Sequence, residues 1–189
     1  MTVRIEFELG EEDLDRFRAM FAEARKVAES MGREKILAET RKLVKPAAER
    51  NPEGFIRSRI EGLGKLIEMV DDDTWKLPKE DADRIIQALA YFVNPDDLIP
   101  DQTPGLGFLD DAIAAELVLK VLAHELEAYE EFVRFRDAEI ERRRNRGLPT
   151  DISKEDWLAD RRADLHARMR ARRSDNRLDG GWTVRGLGF

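Results

Sequence analysis

Cysteine is absent from all 189 residues, which removes disulfides, thiolate-bound zinc, iron–sulfur clusters and cysteine nucleophiles together. Histidine occurs only as His124 and His166, too seldom for a multi-histidine metal centre and a poor basis for serine–histidine catalysis. Ser30, Ser58, Ser153 and Ser174 lack the context of a nucleophile elbow, and neither a phosphate loop nor a dinucleotide fingerprint occurs. Trp75, Trp157 and Trp182 lie too far apart in sequence to suggest a base-stacking platform. Long apolar runs are missing as well. The most apolar stretch, 112–126, carries Glu116, Lys120, His124 and Glu125, whereas a membrane-spanning helix needs about 18 apolar residues in succession. Residues 1–9 alternate charged and apolar side chains, unlike the core of a secretory signal. The expectation is a cytoplasmic protein, with peripheral membrane contact as the alternative.

What is present is charge. Acidic residues outnumber basic ones 40 to 33, for a net charge of −7. Residues 1–140 hold 20 basic and 32 acidic side chains, whereas 141–189 hold 13 basic and 8 acidic, and 12 of those 13 are arginine. The chain therefore divides into an acidic helical domain, 1–146, and an Arg-rich helix with a glycine-rich tail, 147–189. Such an end either docks on the acidic body, its own or a second subunit's, or grips an external anion such as nucleic acid or an anionic membrane.

A hydrophobic fraction of 42% suffices for a packed core, and the apolar residues recur with helical period. Val3, Ile5, Phe7 and Leu9 alternate as in a strand, which Gly10 ends. Leu14, Phe17, Phe21, Ala24, Ala28 and Met31 form one helical stripe, interrupted by Gly32 and resumed by Ile36, Leu37, Thr40, Leu43 and Val44 as far as Pro46. Asn51 and Pro52 suit a helix start, followed by Ile56, Ile60, Leu63, Ile67 and Val70. Asp71, Asp72 and Asp73 then read as a solvated turn. A helix from about Pro78 buries Ile85, Ile86, Leu89, Phe92 and Val93 and stops at Asn94-Pro95. The longest helix is expected from Leu109 to about Arg144, with a stripe from Ile113 through Leu117, Val118, Val121, Leu122, Leu126, Tyr129, Phe132 and Val133 to Ile140. Ser153 and Asp156 suggest a capping box before a last helix whose seam is only Trp157, Leu158, Leu165 and Met169. The fold class is all-α, a multi-helix bundle with a small terminal β element at most.

Residues 91–112 stand apart. They run from an aromatic helix end through Pro95-Asp-Asp97-Leu98-Ile99-Pro100-Asp101 to Gly107 and then Asp110-Asp111 at the next helix. This pattern resembles the YkvA-like family, a short bacterial domain of unknown function, closely over 91–112 and more loosely over 63–129. The resemblance implies a helical fold and no established reaction. Many relatives look membrane-associated, and this chain departs from them by placing charges through the apolar helix.

The carboxylates of that segment have two readings. Asp110 or Asp111 caps the following helix while Asp97 and Asp101 accept loop N–H groups. Alternatively Asp97, Asp101, Asp110 and Asp111 converge on a hard cation, Mg²⁺ or Ca²⁺, which favours oxygen ligands. The sequence thus points to a non-enzymatic interaction or regulatory module. One alternative is a metal-dependent hydrolase built on these four aspartates. Another is a nucleic-acid or anionic-membrane binder working through the arginines. No cofactor beyond a divalent cation is suggested. A protein partner or a second copy of the chain is expected to meet Trp157, Arg161, Arg168, Arg172, Trp182 and Phe189, because apolar side chains on a thin helix and a glycine-rich tail need covering.

Overall fold

A computed structural model describes residues 10–49, 54–93, 109–151 and 156–178. Within them lie seven α-helices: α1 Glu11–Met31, α2 Arg33–Glu49, α3 Phe55–Asp71, α4 Lys79–Leu89, α5 Leu109–Val121, α6 Ala123–Asn145 and α7 Ala159–Leu178. A 3₁₀ turn, Ala90–Val93, follows α4. The fold is all-α, and no strand occurs among the described residues. The strand expected at 3–9 lies outside them.

The helices turn described members of their stripes into the core, the side chains of Leu14 and Phe17 lying outside the described ones. Phe21 and Ala24 of α1, Ile36 and Leu37 of α2, and Ile60, Leu63, Ile67 and Val70 of α3 are buried in one core. So are Ile85, Ile86 and Leu89 of α4, Leu117, Val118 and Val121 of α5, and Tyr129 and Phe132 of α6. Gly32 turns the chain between α1 and α2 at φ +80°, a conformation that suits glycine. Thr40 occupies a buried stripe position because its hydroxyl donates to the Ile36 carbonyl at 2.9 Å, one turn back. Central in the bundle, α3 packs against α2, α4, α5 and α6, while α1 lies on α4 and the 3₁₀ turn, where the rings of Phe21 and Tyr91 sit 4.8 Å apart.

Several boundaries differ from the sequence reading. α2 runs through Pro46 to Glu49. The first described start of α3 is Phe55, behind Gly54 at φ 59°, and Asn51, Pro52 and Glu53 lie outside the described residues. The long helix is two, bent at Leu122, whose φ and ψ of −100° and 17° leave the helical range. Backbone bonding nevertheless continues on both sides, from Leu122 N–H to the Val118 carbonyl and from Leu126 N–H to the Leu122 carbonyl, each 3.0 Å. Leu122 is buried, so the chain changes direction around a packed side chain. The end of α6 is a Schellman closure: Leu148 N–H donates to the Arg143 carbonyl and Gly147 N–H, at φ +65°, to the Arg144 carbonyl.

α3 and α5 approach closely at Gly62. A Cβ added there would lie 2.5 Å from Leu119 Cδ1 and 2.9 Å from Cδ2. Gly62→Val is expected to destabilise the fold by about 1–3 kcal/mol through overpacking. Urea unfolding measures this, and adding Leu119→Ala should recover part of the loss.

Candidate functional site

α3 ends in a carboxylate that organises its surroundings. Asp72 follows the last turn in extended conformation, its N–H still donating to the Glu68 carbonyl at 2.9 Å. Oδ1 accepts from Thr74 N–H at 2.8 Å, the Thr74 hydroxyl at 2.5 Å and Trp75 N–H at 3.2 Å. Oδ2 accepts from Arg136 Nη1 at 2.6 Å and from the Tyr129 hydroxyl at 3.1 Å. Burial pushes this carboxyl upward, but the bonds from Thr74, Arg136 and Tyr129 outweigh it and hold the group below the ordinary aspartate range. Tyr129 moves the other way: burial and the adjacent Asp72 charge raise its hydroxyl well above 10. The turn so fixed drives Trp75 into the core, fully buried, with ring centroids 4.8 Å from Phe132 and 4.2 Å from His166.

A second charged junction joins α4, α6 and α7. Asp81 and Glu125 are both buried. Arg84 Nη1 donates to Glu125 Oε1 at 2.6 Å, and Arg173 Nη1 reaches Asp81 Oδ1 at 2.6 Å and Glu125 Oε1 at 3.3 Å. Two carboxylates thus face two guanidiniums, which is the condition for tolerating charge out of water. The match is incomplete in hydrogen bonds: Glu125 Oε2 and Arg84 Nε and Nη2 are buried without a protein partner. Desolvation lowers Arg84 despite Glu125 beside it, whereas in Arg173 the bonds to Asp81 and Glu125 overcome desolvation and raise it.

α7 lies along α6. Its buried face is Leu158, Arg162, Leu165, His166 and Met169. Arg162 grips Asp156 with both terminal nitrogens, at 2.5 and 3.2 Å, and donates to the Thr74 carbonyl at 3.0 Å, while Lys76 completes the clamp on Asp156 at 2.7 Å. Bonds from Arg162 and Lys76 pull the Asp156 carboxyl down to about 2. The helix begins at Ala159 behind this side-chain clamp, and Ser153 of the expected capping box lies outside the described residues. His166, which the run of arginines on this helix suggests lies in solvent, is buried against Trp75. The cause is that α7's contact face is wider than its apolar residues alone suggest.

The candidate partner-binding residues fall out as follows. Arg161 pairs with Glu131, Arg168 donates to Glu131 at 3.0 Å, and Arg172 donates to Glu127 at 3.1 Å. Trp157 is half-buried beneath Arg143, whose guanidinium carbon lies 4.6 Å from the ring centroid, while its neighbour Leu158 is the fully buried anchor. Trp182 and Phe189 lie outside the described residues, as do Asp97 and Asp101. Asp110 and Asp111 lie in α5, whose first described residue is Leu109, and the residues before it, which would settle the expected cap, lie outside the described residues. Among the described residues, no group of three or more His, Asp or Glu side chains is placed to hold a metal ion. A shallow groove of about 330 Å³ runs between α3 and α6, lined by Lys65, Glu68, Tyr129, Glu130, Val133 and Arg134.

Sequence reasoning passed over Asp72, Glu125 and His166. Each carried a signal. Asp72 stands two residues before Thr74, the spacing of an Asx turn. Glu125 falls in the stripe between Leu122 and Tyr129, and His166 sits beside Leu165 and one turn before Met169.

With this geometry in view, residues 84–117 match a family described as a protein of unknown function, DUF1232. The chain is also 44% identical over 45 residues to the uncharacterized membrane protein YkvA of Bacillus subtilis (strain 168), a span of 24% of this chain and 42% of that relative. The YkvA-like resemblance therefore holds for the segment from α4 through the 3₁₀ turn to most of α5. The match spans less than half the relative's length. No solved structure matches the chain. Among the described residues, no helix is long and apolar enough to cross a membrane.

Two outcomes test these junctions. Arg136→Met removes a charged donor from the nearly buried Asp72 and should cost about 2 kcal/mol in denaturant unfolding. Because the Asp72 carboxyl is depressed in the folded state, its contribution is present above the unfolded value near 3.8 and is lost as pH falls below it, and this acid loss should shrink in the variant. For α7, Leu165→Ala should cost about 2–4 kcal/mol and speed tryptic cleavage beyond Arg146, whereas Trp157→Ala should do less.

Proposed function

We propose that the chain is a non-enzymatic protein-interaction or regulatory module. The supporting observation is where its charged groups go. Asp72 with Arg136, Glu125 with Arg84 and Arg173, and Asp156 with Arg162 and Lys76 fasten helix to helix, and so serve as scaffold. The groove between α3 and α6 is open, with Tyr129 and Val133 between charged rims, the character of a docking face rather than an enclosed substrate cavity. The partner is another protein or a second copy of the chain. The proposed setting is the cytoplasm, with peripheral membrane contact as a variant, since the relative bears the name of a membrane protein.

One observation favours a second reading. Asp97, Asp101, Asp110 and Asp111 all fall inside the family-matched interval, so a divalent-cation-dependent hydrolase would have its ligands in the one recognisable segment. Nucleic-acid binding through the Arg-rich end has less support, because Arg161, Arg162, Arg168, Arg172 and Arg173 are engaged with the protein's own carboxylates.

Thermal melting and light scattering separate the readings. The module reading expects a melting temperature indifferent to millimolar Mg²⁺ or Ca²⁺ and a solution mass above one chain. A cation-dependent rise that Asp97→Asn abolishes would replace it with the metal reading.

A further inference from the structure

His166 is the one histidine that faces the core. Its ring meets the buried ring of Trp75 nearly edge-on, 74° between planes, and its Nε2 is buried without a hydrogen-bond partner. The charged groups around it come from two elements. Arg162 and Arg170 stand near it on α7, and Asp81 faces it from α4. That carboxylate is already bonded to Arg173 at 2.6 Å. A proton added to His166 would place a positive charge beside two guanidiniums and against an indole, with the Asp81 carboxylate already engaged by Arg173.

We propose that α7 is an acid-sensitive latch, released from the helical body when His166 takes up a proton. Release withdraws His166 and Arg162 from Trp75 and the Thr74 carbonyl, and so opens the aromatic face that α7 covers.

The sign follows from linkage. Burial first, then Arg170 and Arg162, hold the docked imidazole down to about 4 against the partial opposition of Asp81. In a released helix exposed to water its ordinary value is near 6.5. The released form thus binds the proton more tightly, and docking weakens as pH falls from about 6.5 toward 4. Between about pH 7.5 and pH 5 the ratio of released to docked helix should rise roughly thirty-fold. Two acidic partners of the interface, Asp156 and Glu131, do not share this window. Asp156 is held near 2, and Arg168 and Arg161 keep Glu131 below its usual range, so both remain charged at pH 5.

Hydrogen exchange on the full chain, corrected for the intrinsic rate at each pH, reads the latch directly. Protection of the α7 amides should fall roughly thirty-fold between about pH 7.5 and pH 5 while α3 keeps its protection, and His166→Leu should abolish the difference. Equal α7 protection at both values would overturn the proposal. So would an equal fall in α3, which would mark global unfolding, or an unchanged fall in the variant, which would assign it to carboxylates. Should the variant fail to fold, the His166 ring protons in wild type decide: an NMR midpoint below about 5 upholds the latch and one near 6.5 ends it.

Discussion

The Asp72 carboxylate is the constraint on which the architecture turns. By accepting from Thr74 and Trp75 it bends the chain immediately after α3, and the bend aims the largest side chain of the core inward. By accepting from Tyr129 and Arg136 it fixes that same bend to α6. Trp75 then stands at the meeting point of three helical units. Phe132 approaches from α6 and His166 from α7, while Arg162 of α7 closes on the carbonyl next door at Thr74. The position of α7 therefore depends on a turn more than eighty residues earlier in the chain, through an aromatic ring that has no freedom once the carboxylate is satisfied.

Charge in this protein divides by depth. The rim pairs of α7, Arg168 with Glu131 and Arg172 with Glu127, are half-buried to exposed and contribute about 0–1 kcal/mol each, so they orient the helix more than they hold it. The junction of Asp81, Arg84, Glu125 and Arg173 is different. Its burial offsets much of its attraction, and an apolar replacement of the whole set need not weaken the fold. Losing one member is the costly event, because the remainder is then unbalanced out of water. The junction consequently selects one arrangement of α4, α6 and α7 over any slipped one, since a shift of one turn would leave a buried carboxylate facing the wrong residue.

Periodicity made the helices legible, because burial on one face repeats every three or four residues and leaves Ile60, Leu63 and Ile67, or Ile85, Ile86 and Leu89, in view. Asp72 was hidden by its neighbours. Three aspartates in succession look alike in sequence, yet Asp71 is exposed and pairs with Arg41 while Asp72 alone faces α6. What separates them is tertiary direction, which a local pattern does not encode. Glu125 and His166 were masked by residue type, because polar side chains are mostly exposed, although both positions point inward. The bend at Leu122 had no sequence sign, since neither proline nor glycine stands there. For the four aspartates the sequence offered spacing only, and the described residues place Asp110 and Asp111 in one helical turn.

The family-matched interval is not a structural unit by itself. Its 34 residues, 84–117, include the second half of α4, the 3₁₀ turn and most of α5, with 94–108 outside the described residues. A segment of that size cannot bury enough surface to fold alone. α5 shows how it is completed. Ala112, Ala114, Ala115, Leu117 and Val118 are all buried, and α3 supplies one wall, brought close by the absence of a side chain at Gly62. Arg84 shows the same dependence in charge. It opens the interval, yet its carboxylate partner, Glu125, lies beyond the end of it, and Arg173 shares that carboxylate from α7. A change in the docking of the Arg-rich helix therefore alters the charge balance around Arg84, the first residue of the matched interval. The arginine-rich end, unexplained by the family pattern, completes an ionic junction that the pattern alone leaves open.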